Sequence, residues 1–106
     1  MPTERYQTVA RVGEVAEGRG LPVEVDGVAV ALFLADGVYY AIDDTCPHQG
    51  APLNDGLVFD KSVTCILHGW RFSLEDGRLC DSPRSKSLVG TYPVRVVGDE
   101  IQIGVE

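Results

Sequence analysis

Four Asp-Gly pairs, at Asp26-Gly27, Asp36-Gly37, Asp55-Gly56 and Asp76-Gly77, punctuate a chain of 106 residues. Both residue types accept positive φ, so the pair suits the two-residue turns that close antiparallel hairpins. Three of the four separate segments that read as strands. "LPVEV" leads through Asp26-Gly27 into "VAVALFLA", which leads through Asp36-Gly37 into "VYYAI". The middle segment is apolar at every position, the pattern of a strand covered on both faces. Further on, "TYPVRVV" sets Tyr92, Val94 and Val96 against Thr91, Pro93 and Arg95. "EIQIGVE" alternates Ile101, Ile103 and Val105 with Gln102, Gly104 and Glu106, and a Gly98-Asp99 turn joins the two. No amphipathic helix of ordinary length appears. Short strands with frequent turn signals predict an all-β fold, an antiparallel sandwich or small barrel. The length fits one compact domain, residues 1–106, and leaves no room for two.

Composition narrows the function classes. The chain is 44% hydrophobic with a mean hydropathy of +0.02. Its longest apolar run, Val28 to Ala35, falls far short of the roughly 20 residues a spanning helix needs. The opening "MPTERYQTVA" has no apolar stretch to serve as a secretory signal, so the expected compartment is the cytoplasm. Nine Lys and Arg against 16 Asp and Glu give a net charge of −7. Such a surface repels phosphate backbones and anionic lipids, which excludes nucleic acid and membrane surfaces as natural partners. It suits docking on a basic protein face, or simply keeps the domain in solution.

The chemistry gathers in two short stretches, "DDTCPHQGAPLNDG" and "TCILHGW". They contain both histidines of the chain, His48 and His68, and two of its three cysteines, Cys46 and Cys65. Three cysteines in a reducing compartment do not suggest a disulfide framework, which leaves metal ligation. Thiolate and neutral imidazole are ligands for iron and for zinc. Both stretches fall where the strand patterns break, which places them on loops at the tip of a rigid β scaffold. Gly50, Gly69, Pro47 and Pro52 permit or impose tight backbone paths there. Zinc sites usually pair Cys with Cys and His with His, with a helix carrying the histidines, and neither holds here. A zinc-stabilised interaction module is nevertheless the competing class.

"CPHQGAPL" followed by "CILHGWRF" resembles the signature of Rieske-type [2Fe–2S] proteins. The length, the β-rich pattern and the terminal "YPVRVVGDEIQI" are similar to soluble Rieske ferredoxins along nearly the whole chain. The resemblance implies an antiparallel β-sandwich with a small cluster-binding subdomain, whose loops span about 45–56 and 65–72. It implies that Cys46 and Cys65 bind an inner iron and His48 and His68 an outer one. Gln49, Gly50, Gly69, Trp70 and Pro83 would lie around the ligands, Pro83 in a loop covering the cluster. Two imidazoles in place of two thiolates remove two negative charges, which makes an added electron easier to accept.

Membrane-complex Rieske proteins carry an extra cysteine in each loop. None stands beside His48 or His68, so the chain is more like the low-potential ferredoxins. Cys80 is expected to pack as a small apolar residue. Asp43, Asp44, Asp55 and Asp60 read either as a solvated rim or as an acidic ring around the histidines. The implied role is a one-electron carrier, not an enzyme by itself. It would take electrons from a reductase, a flavoprotein, and pass them to a terminal oxygenase. The alternative is the small subunit of an NAD(P)H-dependent nitrite reductase, partnered by the large subunit.

Overall fold

The computed structural model describes residues 5–45, 52–65, 70–78 and 89–105. Among them are ten strands and no α-helix: β1 (Arg5–Arg11), β2 (Gly20–Val25), β3 (Val28–Ala35), β4 (Val38–Asp43), β5 (Leu57–Phe59), β6 (Ser62–Thr64), β7 (Arg71–Ser73), β8 (Thr91–Tyr92), β9 (Val94–Val97) and β10 (Glu100–Val105). They form three antiparallel sheets of order β1-β10-β9, β2-β3-β4-β8 and β5-β6-β7.

The uniformly apolar β3 is the reason for this layering. Alternate side chains point to opposite faces of a strand. Ala31, Phe33 and Ala35 enter one buried cluster, with Ile42, Val63 and Phe72. Val30 and Leu32 enter a second, with Ala10, Ala41, Ile101 and Ile103. The β2-β3-β4-β8 sheet therefore lies between the β1-β10-β9 sheet on one side and the β5-β6-β7 sheet on the other. The first two make the sandwich, and the third is a small appended unit. This is the all-β antiparallel architecture that the strand pattern predicts.

The hairpin turns hold at two of the expected places. Asp26 and Asp36 sit at φ 54° and 53°, each followed by a glycine also at positive φ, and they close β2–β3 and β3–β4. The Asp55-Gly56 pair does something else, because Leu53–Asp55 forms a 3₁₀ turn and Gly56 has φ −72°. The hairpin between β5 and β6 turns instead on Asp60-Lys61, both at positive φ without a glycine.

One strand assignment changes, and one strand goes unassigned in the sequence. "TYPVRVV" is not one strand: Thr91–Tyr92 pairs with β4, and Val94–Val97 with β10. Pro93 has no N–H for a ladder and marks the crossing between sheets. Tyr92 and Val94 still pack inward, whereas Val96 is exposed. The first strand, β1, escapes the alternation test because its register shifts between Thr8 and Ala10. That irregularity lets neighbouring Val9 and Ala10 both reach the same core.

Candidate metal centre

Each cysteine-histidine stretch is held at its base by backbone pairing. At the first, β4 ends at Asp43, and the Asp44 N–H donates to the Ala29 carbonyl at 3.1 Å. Thr45 then pairs antiparallel with Pro52, and the Leu53 N–H donates to the Asp44 carbonyl. Asp44, Thr45, Pro52 and Leu53 thus form a narrow neck. Leu53, fully buried, pins the far side of that neck into the core. At the second stretch, Thr64 pairs with Arg71, and the Cys65 N–H donates to the Trp70 carbonyl at 2.7 Å.

The two necks lie together. A Cβ on Gly56 would stand 2.5 Å from the Thr64 carbonyl oxygen, so the chain leaving the first neck passes against the residue preceding Cys65. Only glycine allows that approach. Cys65 and Leu53 also share one buried cluster with Val63, Phe72 and Val89. A third segment arrives at the same end. The Gly90 N–H donates to Asp43 Oδ2 at 2.8 Å, and the Asp43 N–H donates to the Gly90 carbonyl at 2.9 Å.

Cys65 is 1% exposed and in no disulfide. A thiol at the mouth of a hairpin, walled by apolar side chains, suits a soft metal centre whose sulfur ligands are kept from water. Trp70 is half-buried against the same cluster, its ring 6.5 Å from that of Phe72. Cys46, His48, Gln49, Gly50, His68, Gly69, Cys80 and Pro83 lie outside the described residues.

The neighbouring carboxylates are not the uniform rim that their sequence suggests. Asp44 is 8% exposed, and its carboxylate accepts hydrogen bonds from the Asn54 N–H and from Asn54 Nδ2. Asp43 is half-buried and accepts from Gly90 and from the Tyr92 hydroxyl. Burial, then the hydrogen bond to Asp43, then its charge push the Tyr92 hydroxyl up from 10.0 to about 12. Asp55 and Asp60 are exposed. Sequence reasoning missed the inward roles of Asp43 and Asp44, because their partners stand elsewhere in the chain.

The described strands form a β-sandwich carrying a small three-stranded unit, with Cys65 buried at the base of that unit. Residues 5–93 match the family model of the Rieske [2Fe-2S] domain, and the chain belongs to that family. It is similar to the ferredoxin component of the naphthalene 1,2-dioxygenase system of Pseudomonas aeruginosa, 34% identical over 95% of this chain and 96% of that protein. Among solved structures it is similar to a nitrite reductase small subunit, described as NADH-dependent, from Mycobacterium tuberculosis. That likeness has a TM-score of 0.88 and 32% identity, over 96% of each chain. It is also similar to a protein in a complex of reduced oxygenase and oxidized ferredoxin of carbazole 1,9a-dioxygenase, with a TM-score of 0.83, 25% identity, and 93% and 92% coverage. The chain is therefore a Rieske-type ferredoxin, an electron carrier with a [2Fe–2S] cluster and not itself a catalyst. No helix among the described residues is long and apolar enough to cross a membrane.

Proposed function

We propose that Cys46 and Cys65 ligate the inner iron of this cluster and His48 and His68 the outer one, within one domain spanning residues 1–106. The observation that carries this is the placement of Cys65: buried, at the mouth of one narrow loop, beside the neck of the other. When bound, the cluster supplies reversible one-electron transfer. The chain's own contribution is to bury the thiolate ligand, exclude water from its side, and hold both loops in fixed register. Gln49, Gly50, Gly69, Trp70 and Pro83 are the residues assigned to its surroundings.

In the cell the carrier takes electrons from a flavoprotein reductase and delivers them to a terminal oxygenase acting on an aromatic or related substrate. The likeness to a ferredoxin component over nearly its whole length supports this reading. So does the likeness to the ferredoxin–oxygenase complex. Its place is the cytoplasm. The likeness to a nitrite reductase small subunit favours a second reading, in which the partner is the large subunit of such an enzyme. Copurification separates the two: a shuttling carrier purifies alone, and a subunit purifies with a large sirohaem flavoprotein.

The test of the ligand assignment is EPR on anaerobically purified protein before and after dithionite, with iron and zinc counted in the same sample. Two irons per chain and a rhombic signal only after reduction are expected, at a lower average g than all-cysteine clusters give. A silent sample holding about one zinc and no iron, even after iron-replete expression, overturns it in favour of a structural zinc site.

A further inference from the structure

Asp44 is the only charged side chain among the described residues that is classed with the core, at 8% exposed. Its backbone is fully used, the N–H on Ala29 and the carbonyl on Leu53. Among the described residues its carboxylate accepts three hydrogen bonds, all from Asn54: the backbone N–H at 2.8 Å, and Nδ2 at 2.9 Å to Oδ1 and 2.7 Å to Oδ2. These donors are neutral amides. They bring no positive charge to the carboxylate.

That charge stands close to the cluster. Asp44 is two residues before Cys46, so their Cα atoms are at most about 7.6 Å apart, given 3.8 Å per step. Across the neck, Leu53 links Asp44 to the apolar cluster that contains Cys65. A buried charge is weakly screened, so it acts at this range far more strongly than an exposed one. A fixed negative charge raises the energy of an added electron.

We propose that Asp44, held by Asn54, sets the reduction potential of the cluster, keeping it low through its charge in addition to closing the first loop. The proposal rests on the ligand assignment above. The chemistry is one-electron reduction of the centre by an external donor, with no bond made or broken at Asp44.

The experiment is dye-mediated potentiometry, with EPR, on wild type, Asp44→Asn, Asn54→Ala and Asp36→Asn. Asp44→Asn keeps the shape and removes the charge, and its midpoint potential should rise. A rise of about tenfold in the reduced-to-oxidised ratio at fixed potential is expected, about 59 mV for a one-electron couple. Asn54→Ala loosens the same neck but keeps the carboxylate and the backbone N–H bond while removing the side-chain amide from it, so its potential should fall. A purely structural role would move both variants in the same direction. Asp36 lies in the turn at the opposite end of β4, so Asp36→Asn should leave the potential unchanged.

An Asp44→Asn protein with a wild-type EPR spectrum and an unmoved or lowered potential overturns the proposal. Where Asp44→Asn assembles no cluster, the decision passes to Asn54→Ala: a lowered potential upholds the proposal, and an unmoved or raised one overturns it. A wild type without a reversible one-electron signal overturns the ligand assignment itself, and this proposal with it.

Discussion

Asp43 and Asp44 are neighbours, yet their carboxylates serve opposite sides of the chain. One receives Gly90 and Tyr92, and the other receives Asn54. Alternation at the end of β4 sends them apart, so a pair that reads as acidic rim becomes two separate fastenings of the metal centre. The Tyr92 fastening has a pH signature. Its hydroxyl is raised to about 12 in the folded protein, against 10.0 for the unfolded chain. Below pH 10 both states are protonated and the full stabilisation is present. Between about pH 10 and 12 the unfolded chain releases the proton first, so this contribution falls as pH rises. Urea midpoints from pH 8 to 12 should therefore drop less steeply for Tyr92→Phe than for wild type; equal slopes would show that the shift is absent. For the ligands, replacing His68 by Cys adds a negative charge to the centre. The potential should fall by on the order of 100 mV, judged from the gap between histidine-containing and all-cysteine clusters. An unchanged or raised potential in that variant would count against histidine ligation.

At the scale of elements, the sequence shows its hairpins where turn chemistry is local and hides them where it is not. Asp26-Gly27 and Asp36-Gly37 turn as written, and β3 is apolar throughout because it is covered on both sides. Asp55-Gly56 carries the same signal, but the needs of the first loop override it. Leu53 must reach the core and Gly56 must pass the Thr64 carbonyl. β1 was illegible for a related reason, since a register shift is a long-range fact without a local mark; the Pro93 crossing did have one, a proline inside a strand pattern, which the alternation of "TYPVRVV" masked. The breaks in the strand pattern after Asp43 and after Thr64 were legible in the sequence. What closes the two necks was not, because Asn54 and Trp70 act through pairing that only the fold creates. The Asp60-Lys61 turn is the most informative exception. Lys61 sits at φ 59°, where a Cβ costs roughly 1–2 kcal/mol. Its carbonyl accepts from the Leu74 N–H, a bond that glycine would preserve. Lys61→Gly should thus stabilise the protein by about 0.5–1 kcal/mol, after the roughly 0.5–1 kcal/mol entropic cost of glycine is set against the relieved strain. A lower urea midpoint for the variant would show that the turn carries no such strain.

The three sheets also divide the labour of the whole molecule. Among the described residues, the sandwich core, with Ile101 and Ile103 fully buried, draws no member from 52–65 or 70–78. The other core contains Cys65, Leu53 and Phe72 and extends into the small sheet that frames the centre. A net charge of −7 is spread over this compact body. The exposed ion pairs among the described residues, Arg5–Asp26, Arg11–Asp99 and Arg78–Asp76, are already counted in that net figure. An acidic carrier that must find its partner by diffusion gains speed from a basic docking face, and salt removes that gain as the Debye length shrinks to about 10 Å at 0.1 M. The second-order rate at which the reduced protein delivers its electron to the purified terminal oxygenase should therefore fall as ionic strength rises. Stopped-flow mixing between about 10 mM and 500 mM salt measures it, and the spread expected for steered association is roughly tenfold or more. The intramolecular potential should stay nearly constant over the same range, because the buried carboxylate of Asp44 is shielded from ions. A rate independent of salt would mean that docking relies on apolar contact, and the exposed Leu57 and Phe59 on β5 would be the first side chains to alter.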